Sequence, residues 1–364
     1  MEATRDPIAA VSQRLDTYIA DRVAQARASA PLAGGFADAT ARAISGGKRL
    51  RAAFCCWGWR AVAEADGDLR DLTEAVVGAA AALEVFQAAA LVHDDLIDNS
   101  DTRRGKPSAH RLLESAHRTA SWSGDAAMYG RSAAILAGDL LVAWSDDLLE
   151  DALATASDAT ARAARAHYAR MRSDVTIGQY LDVAAEAAFA DFAPADRLEL
   201  ALAVASHKSA RYSVQQPLLI GAALADATDD QLTALRAFGH DVGMAFQLRD
   251  DVLGVFGDTA VTGKPAGDDL REGKRTALIA LTEQALPAAA ARTFGELLGD
   301  RDLDAEQIRT LQATIRASGA PDRVEELIAD YARRADRALA GAPLGNAAVG
   351  ALRDLARRAI DRTS

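Results

Sequence analysis

Apolar residues recur along this chain at intervals of three and four, and almost never in alternation. Ile8, Val11, Leu15, Ile19 and Val23 set the pattern, which predicts an amphipathic helix over residues 6–28. Pro31 and Gly34-Gly35 read as its end, with a short helix from about Phe36 leading to the polar stretch Gly46-Gly47-Lys48-Arg49-Leu50-Arg51. A helix through Trp57 and Trp59 follows, then a loop at Asp66-Gly67-Asp68. The central helix, from about Leu69 to Asp98, contains the most apolar run, Ala75 to Val92. Its length would suit a membrane span, but Glu84 and Gln87 interrupt it and its end is acidic, which favours the core helix of a bundle.

Helices are expected at about 108–117, 126–153 and 156–190, with Gly138-Asp139 and Gly178-Gln179 as packing or polar interruptions. Pro194 starts another helix, which carries Lys208, and residues 228–257 form the next. The remainder, 277–361, reads as four helices broken near Pro287, Gly299-Asp300, Pro321 and Pro343.

Composition sharpens the fold class. Half the residues are hydrophobic, mostly Ala, Leu and Val, while aromatics make up 5% and prolines number nine; this mixture favours helix nearly everywhere. No fixed-period repeat or low-complexity linker divides the chain, so one all-α domain over residues 1–364 is expected, with motifs at 40–280 and C-terminal helices at 281–361. A net charge of -11 argues against nonspecific nucleic-acid binding and against electrostatic attachment to anionic lipid. The two cysteines are adjacent, Cys55-Cys56, and point in different directions on a helix. They read as buried thiols, and a reducing cytoplasm fits. The opening MEATRDPIAAVSQRLD is acidic and amphipathic, not basic then apolar, so no signal peptide is read there.

The candidate chemistry sits where apolar helices end in carboxylates. Asp94 and Asp98 are one helical turn apart on one face, with Asp95 beside them, and a helix C-terminus already carries partial negative charge. A divalent cation would relieve that repulsion, and carboxylates without His or Cys companions suit Mg²⁺. A solvated acidic helix end is the alternative. The pattern returns in Phe246-Gln247-Leu248-Arg249-Asp250-Asp251, so two facing helices would place carboxylates on opposite walls of a pocket able to hold Mg²⁺ ions and a diphosphate. Lys48 and Arg51 share a helix face at a Gly-rich helix start that favours an anion, although a solvated basic turn has the same composition. Arg103 and Arg104 lie on a polar loop that can reach a phosphate held by Asp94 and Asp98.

Taken together, GGKRLR, DDLID with DTRRG, KS, FQLRDD and GKPAGDDLREGKRT resemble the trans-isoprenyl diphosphate synthases, or polyprenyl synthetases, over most of residues 40–280 and in that family's order. The resemblance implies an all-α bundle around a deep cavity, usually a homodimer, that joins isopentenyl diphosphate to an allylic diphosphate: dimethylallyl, geranyl or farnesyl. By that likeness Asp94 and Asp98, with Asp95 beside them, and Asp250 would hold three Mg²⁺ ions on the allylic diphosphate, with Asp251 supporting the second site. Arg103, Lys208, Gln247, Lys264 and Lys274 match allylic diphosphate contacts, Lys48, Arg51 and Arg104 match isopentenyl diphosphate contacts, and Phe246 matches a residue lining hydrocarbon. Two departures stand out: Gln87 occupies a position where many relatives have a His ligand, and Gly254 replaces the last Asp of a strict DDxxD.

Chain length follows from helix geometry. One isoprene unit spans about one helical turn of roughly 5.4 Å. Ala89 and Ala90, about a turn below Asp94, are too small to stop a growing chain, whereas Phe86, a turn further, is large enough. Geranylgeranyl diphosphate (C20) is therefore the expected product. A class I terpene cyclase shares the bundle but lacks counterparts of Lys48 and Arg51, and a noncatalytic subunit of a heteromeric synthase commonly loses motif Asp or Arg residues.

Overall fold

The computed structural model describes residues 6–67, 71–257 and 267–360, and nearly everything in them is helix. Helix α1 (Pro7–Ser29) is capped by Asp6, whose carboxylate accepts from the Ile8 N–H. Pro31 does not merely end it. It occupies the first turn of α2 (Pro31–Ile44), where a missing N–H costs nothing. The glycines expected to break the helix lie inside α2, and Gly34 lets it close on α1: a Cβ there would sit 3.1 Å from Arg27 Cγ.

Helices α3 (Leu50–Ala65) and α4 (Glu74–Ile97) follow, α4 capped by Thr73. Alanines at 79–82 and Leu83 are wholly buried, which makes α4 the spine of the largest core. Burying a leucine such as Leu83 contributes roughly 1.5–3 kcal/mol. This helix is long and apolar enough to cross a membrane, but 83% of its most apolar window is buried inside the protein. After it come a ribbon of two-residue strands, β1 (Thr102–Arg103) and β2 (Lys106–Pro107), then α5 (Ala109–Thr119), α6 (Ala126–Leu153) and α7 (Asp158–Ala188).

Gly138 and Gly178 do not interrupt α6 and α7. They are points of close approach: a Cβ at 138 would lie 2.1 Å from His93 Nε2, and one at 178 would lie 2.3 Å from the Lys208 backbone nitrogen. Gly178 thus lets the Lys208 backbone approach α7, and Gly138 makes room for the imidazole beside Asp94.

The helix begun near Pro194 changes pitch twice. It runs as α8 (Arg197–Val204), continues as a π-helix over Ala205–Gln215, and resumes as α9 (Gln216–Ala223). Helix α10 (Asp229–Phe256) starts in a capping box between Thr228 and Gln231. It contributes Leu235, Phe238 and Val242 to one core and Ala245, Leu248 and Val255 to another. Beyond a short turn of helix, α11 (Asp268–Glu272), the described C-terminal residues form five helices, one more than expected: α12 (Ala277–Ala285), α13 (Ala288–Leu297), α14 (Ala305–Ala317), α15 (Ala320–Ala338) and α16 (Asn346–Ile360). Pro287 and Pro321 stand at helix starts, so each ends one helix and seeds the next.

Candidate active site

The C-terminal end of α4 delivers three carboxylates, and each meets a cation from a different element. Arg103, on the β-ribbon, donates to Asp95 from Nε at 2.8 Å and again from Nη2, and lies 3.6 Å from Asp94. Lys208, on the π-helix, lies 3.3 Å from Asp94 and hydrogen-bonds Asp182 of α7. Lys274 reaches Asp98 and Glu272, both at 3.1 Å.

Burial opposes charge on all these groups, and the neighbours decide the outcome. For Asp94 burial raises the carboxyl, but Lys208, Lys274 and Arg103 together hold it below its usual range. For Asp98 burial wins, and Asp94 adds to it, so its carboxyl is raised. Lys274 is buried too, yet Asp269, Asp98 and Glu272 keep its ammonium protonated well above the ordinary lysine range.

The second Asp pair is held differently. Both line the cavity, Asp250 exposed and Asp251 buried, where it accepts from the Gln247 amide at 2.6 Å. Burial, with Asp269, Asp250 and Asp182 nearby, pushes Asp251 up to about 8. Gln247 is fixed in turn by Ser209, whose hydroxyl donates to its carbonyl. At Gly254 an added Cβ would lie 1.8 Å from Asp269 Oδ2. The space for a last motif carboxylate on α10 is therefore already filled by one from α11.

Between the two Asp pairs lies a cavity of about 1850 Å³, larger than the ~300–1,000 Å³ of most small-molecule sites. Its walls include Asp94, Asp182, Lys208, Asp250 and Lys274. Phe86, Ala89 and Ala90 line it from α4, and Phe246 and Gln247 from α10, so the expected hydrocarbon lining and length-setting residues all face one space. Lys264 lies outside the described residues. Among the described residues, no three carboxylate, His or Cys groups stand close enough to form a metal cage by themselves.

Cations gather at one rim, where Lys48, Arg49, Arg51 and Arg104 line the cavity. Arg49 and Arg104 both adopt the left-handed backbone region, with φ of 51° and 53°. The turn Arg104-Gly105 brings the ribbon against the Gly46-Gly47 loop, where Arg104 donates to the Ser45 carbonyl at 3.2 Å. Burial lowers the Arg104 guanidinium and Arg103 and Arg49 lower it further, so an anion among them would relieve the crowding. Glu84 ties this loop to α4: it accepts from the Ala52 N–H at 3.0 Å and lies 3.5 Å from Arg49. Arg51 donates to Ser213 at 2.7 Å and stacks 4.2 Å over Tyr212, whose hydroxyl donates to Gln87 Oε1 at 2.5 Å. Gln87 also lines the cavity.

Sequence reasoning passed over Glu84, Asp182, Ser209, Tyr212 and Asp269. Asp182 had a signal, lying three residues past Gln179 on one face, and Ser209 and Tyr212 flank Lys208. Asp269 stood in the GKPAGDDLREGKRT motif, but its role depends on a fold that brings it against Gly254.

A model of the polyprenyl synthetase family matches residues 36–315. The chain is 31% identical to a short chain isoprenyl diphosphate synthase of Methanocaldococcus jannaschii, over 66% of this chain and 65% of that protein, just under two thirds of the relative's length. It is 31% identical to a geranylgeranyl diphosphate synthase of Mycobacterium tuberculosis, over 80% of this chain and 77% of that one. Among solved structures it is similar to a geranylgeranyl pyrophosphate synthase of Corynebacterium glutamicum complexed with isoprenyl diphosphate and magnesium, with a TM-score of 0.91, 36% identity and 100% of both chains covered.

Proposed function

The chain belongs to the polyprenyl synthetase family, and on that premise we propose that it is a trans-prenyltransferase that condenses isopentenyl diphosphate with an allylic diphosphate, releasing diphosphate and giving geranylgeranyl diphosphate. One observation carries the reading: a single cavity has carboxylates on two walls, a separate cation cluster at its rim and an apolar recess below. Two diphosphates need two binding sites, and the acidic walls and the basic rim supply two unlike ones.

The donor set suits Mg²⁺. It is all carboxylate: Asp94 faces the cavity with Oδ1 3.3 Å from the Lys208 ammonium, and Asp250 lines the opposite wall, hard oxygen donors of the kind that share an ion with water and phosphate oxygens. Asp94, Asp98 and Asp250 would hold Mg²⁺, in a proposed complement of three, and bound Mg²⁺ would neutralise charge developing on the departing diphosphate. The chain's own groups do the rest. Lys208 and Lys274, buried and protonated, and Arg103 stabilise the leaving oxygens as the allylic C–O bond breaks. Lys48, Arg51, Arg104 and the Gln87 amide orient isopentenyl diphosphate so that its double bond faces the cation. The Tyr212 ring, Ser209 and Phe246 line the reacting space and limit water. Proton loss to the released diphosphate ends the cycle. Beyond Ala89 and Ala90, Phe86 packs edge-on against Tyr168 and Tyr212 at 6.2 and 5.9 Å and forms a floor on the α4 side.

Three further readings complete the proposal. The chain is one domain, because α10 belongs to two cores at once. It is a homodimer, since α6 and α7 expose Met128, Ile135, Leu136, Ile177 and Tyr180, each at least half accessible. It works in the cytoplasm, where Cys55 and Cys56 stay as the buried thiols observed.

The test is incubation with Mg²⁺, isopentenyl diphosphate and each of dimethylallyl, geranyl and farnesyl diphosphate, with products sized by mass spectrometry. C20 product is expected; no condensation by folded protein would overturn the proposal. Light scattering on the same sample reads the dimer, and a single urea transition reads the domain.

A further inference from the structure

Below the carboxylates the cavity descends between α6 and α7, two helices that face each other after the loop at 154–157. Val142, Ala169, Ser173 and Thr176 line this descent, and none is large enough to block an alkyl chain. The gap is then crossed by polar rungs. The first is Arg172 of α7, which lines the cavity and donates from Nη1 to both carboxylate oxygens of Asp146 on α6, at 2.7 and 2.6 Å. Tyr168 of α7 comes next, hydrogen-bonded to Ser145, whose hydroxyl donates to the Ala82 carbonyl of α4 at 2.6 Å. A further pair, Arg165 with Glu150 at 2.6–2.7 Å, joins the same two helices at the surface, outside the cavity.

Resting on the prenyltransferase reading above, we propose that the Arg172–Asp146 ion pair is the stop that sets product length between α6 and α7, and that Phe86 closes only the α4 side. Arg172 contacts the end of the growing chain; Asp146, which does not line the cavity, is the positioning residue that holds Arg172 across the gap. The guanidinium also stacks over the Tyr168 ring at 5.1 Å, so it is fixed from two directions. A chain that grew past this point would have to part the two charges. The two side chains are 35% and 41% exposed, so water softens the separation and the barrier is a partial one.

The experiment compares wild type with Arg172→Ala, Asp146→Ala and Arg172→Lys, using farnesyl diphosphate and excess isopentenyl diphosphate, and reads product lengths alongside the initial rate of farnesyl diphosphate consumption. With the consumption rate near wild type, Arg172→Ala and Asp146→Ala are each expected to raise the ratio of C25 and longer products to C20 by about tenfold, the scale on which pocket size discriminates one chain increment. Arg172→Lys, which keeps the pair, is expected to stay near wild type. High salt should lengthen the wild-type product by screening the half-exposed pair and leave the two alanine variants unmoved. An unchanged ratio in active Arg172→Ala overturns the stop, and lengthening by Arg172→Ala but not by Asp146→Ala overturns the ion pair in favour of bulk alone. If wild type itself condenses nothing, it is the prenyltransferase reading that fails.

Discussion

The two Asp-rich helix ends look alike in sequence and are handled in opposite ways. At the end of α4, Asp94, Asp95 and Asp98 each face a cation carried by another element: Lys208, Arg103 and Lys274. At the end of α10, Asp251 sits buried beneath the Gln247 amide with Asp250, Asp269 and Asp182 around it, and its carboxyl is pushed up to about 8. The first end is charged and balanced by the protein, whereas Asp251 is held in its neutral form near neutral pH. Identical dipeptides therefore need not share a role; the surroundings decide which carboxylate is ready to bind a cation.

The sharpest way to break this comparison is to remove charge from each side. Asp94→Asn and Asp250→Asn are expected to lower kcat/KM by about 10³-fold, as loss of a major electrostatic contact to the leaving group does. Asp251→Asn copies the protonated carboxyl and should cost at most about tenfold by the same measure. Equal losses in steady-state assays would erase the distinction. Next in size is Lys208→Ala, which strips the cation from Asp94 and Asp182; a fall of about 10²-fold in kcat is expected, with less change in KM.

A pH experiment sharpens the same contrast through stability. Because the folded carboxyl of Asp251 titrates near 8, above the ordinary value of 3.8, the folded protein binds its proton more tightly than the unfolded chain does. Stability of the metal-free protein should accordingly fall as pH rises from about 4 to about 8 and then level off. The contribution is of order 1–3 kcal/mol once coupling among the neighbouring carboxylates is discounted. Asp251→Asn should flatten that slope in melting temperatures measured with a chelator present; an unchanged slope assigns the titration elsewhere. The smallest effect concerns the basic rim: Gln87→His should lower KM for isopentenyl diphosphate by about 2–5-fold below pH ~6.5, where the imidazole is charged, and leave kcat nearly unchanged.

Much of this was legible because helix-period patterning and charged motifs are local. The α6 boundaries, 126–153, were read from sequence and match the structure, and the expected site residues within the described segments line one cavity, except Asp95 and Asp98, which lie behind its wall. What escaped was tertiary. Gly34 reads as a break but lies inside α2, tight against the Arg27 side chain; Gly138 and Gly178 read as packing or polar interruptions, and packing is what holds, each being where another element comes too close for a Cβ. Asp269 stood in the quoted GKPAGDDLREGKRT motif without a role and the Arg172–Asp146 pair carried no motif, since their meaning depends on Gly254 and on the α6–α7 gap.

The π-helical turn that carries Lys208 imposes a different kind of constraint, on insertion and deletion. Ala205, Lys208, Ser209, Tyr212 and Ser213 all reach the cavity from a segment whose bonding runs to the fifth residue. Deleting any one residue between Ala205 and Gln215 would leave a good helix with its apolar core largely matched, but would rotate everything on one side of the cut by about 100°. A cut between Lys208 and Tyr212 would turn one of them away from the space they share. Along this segment the count of residues is more tightly constrained than their identities, and a frame-preserving deletion should be more damaging than most substitutions.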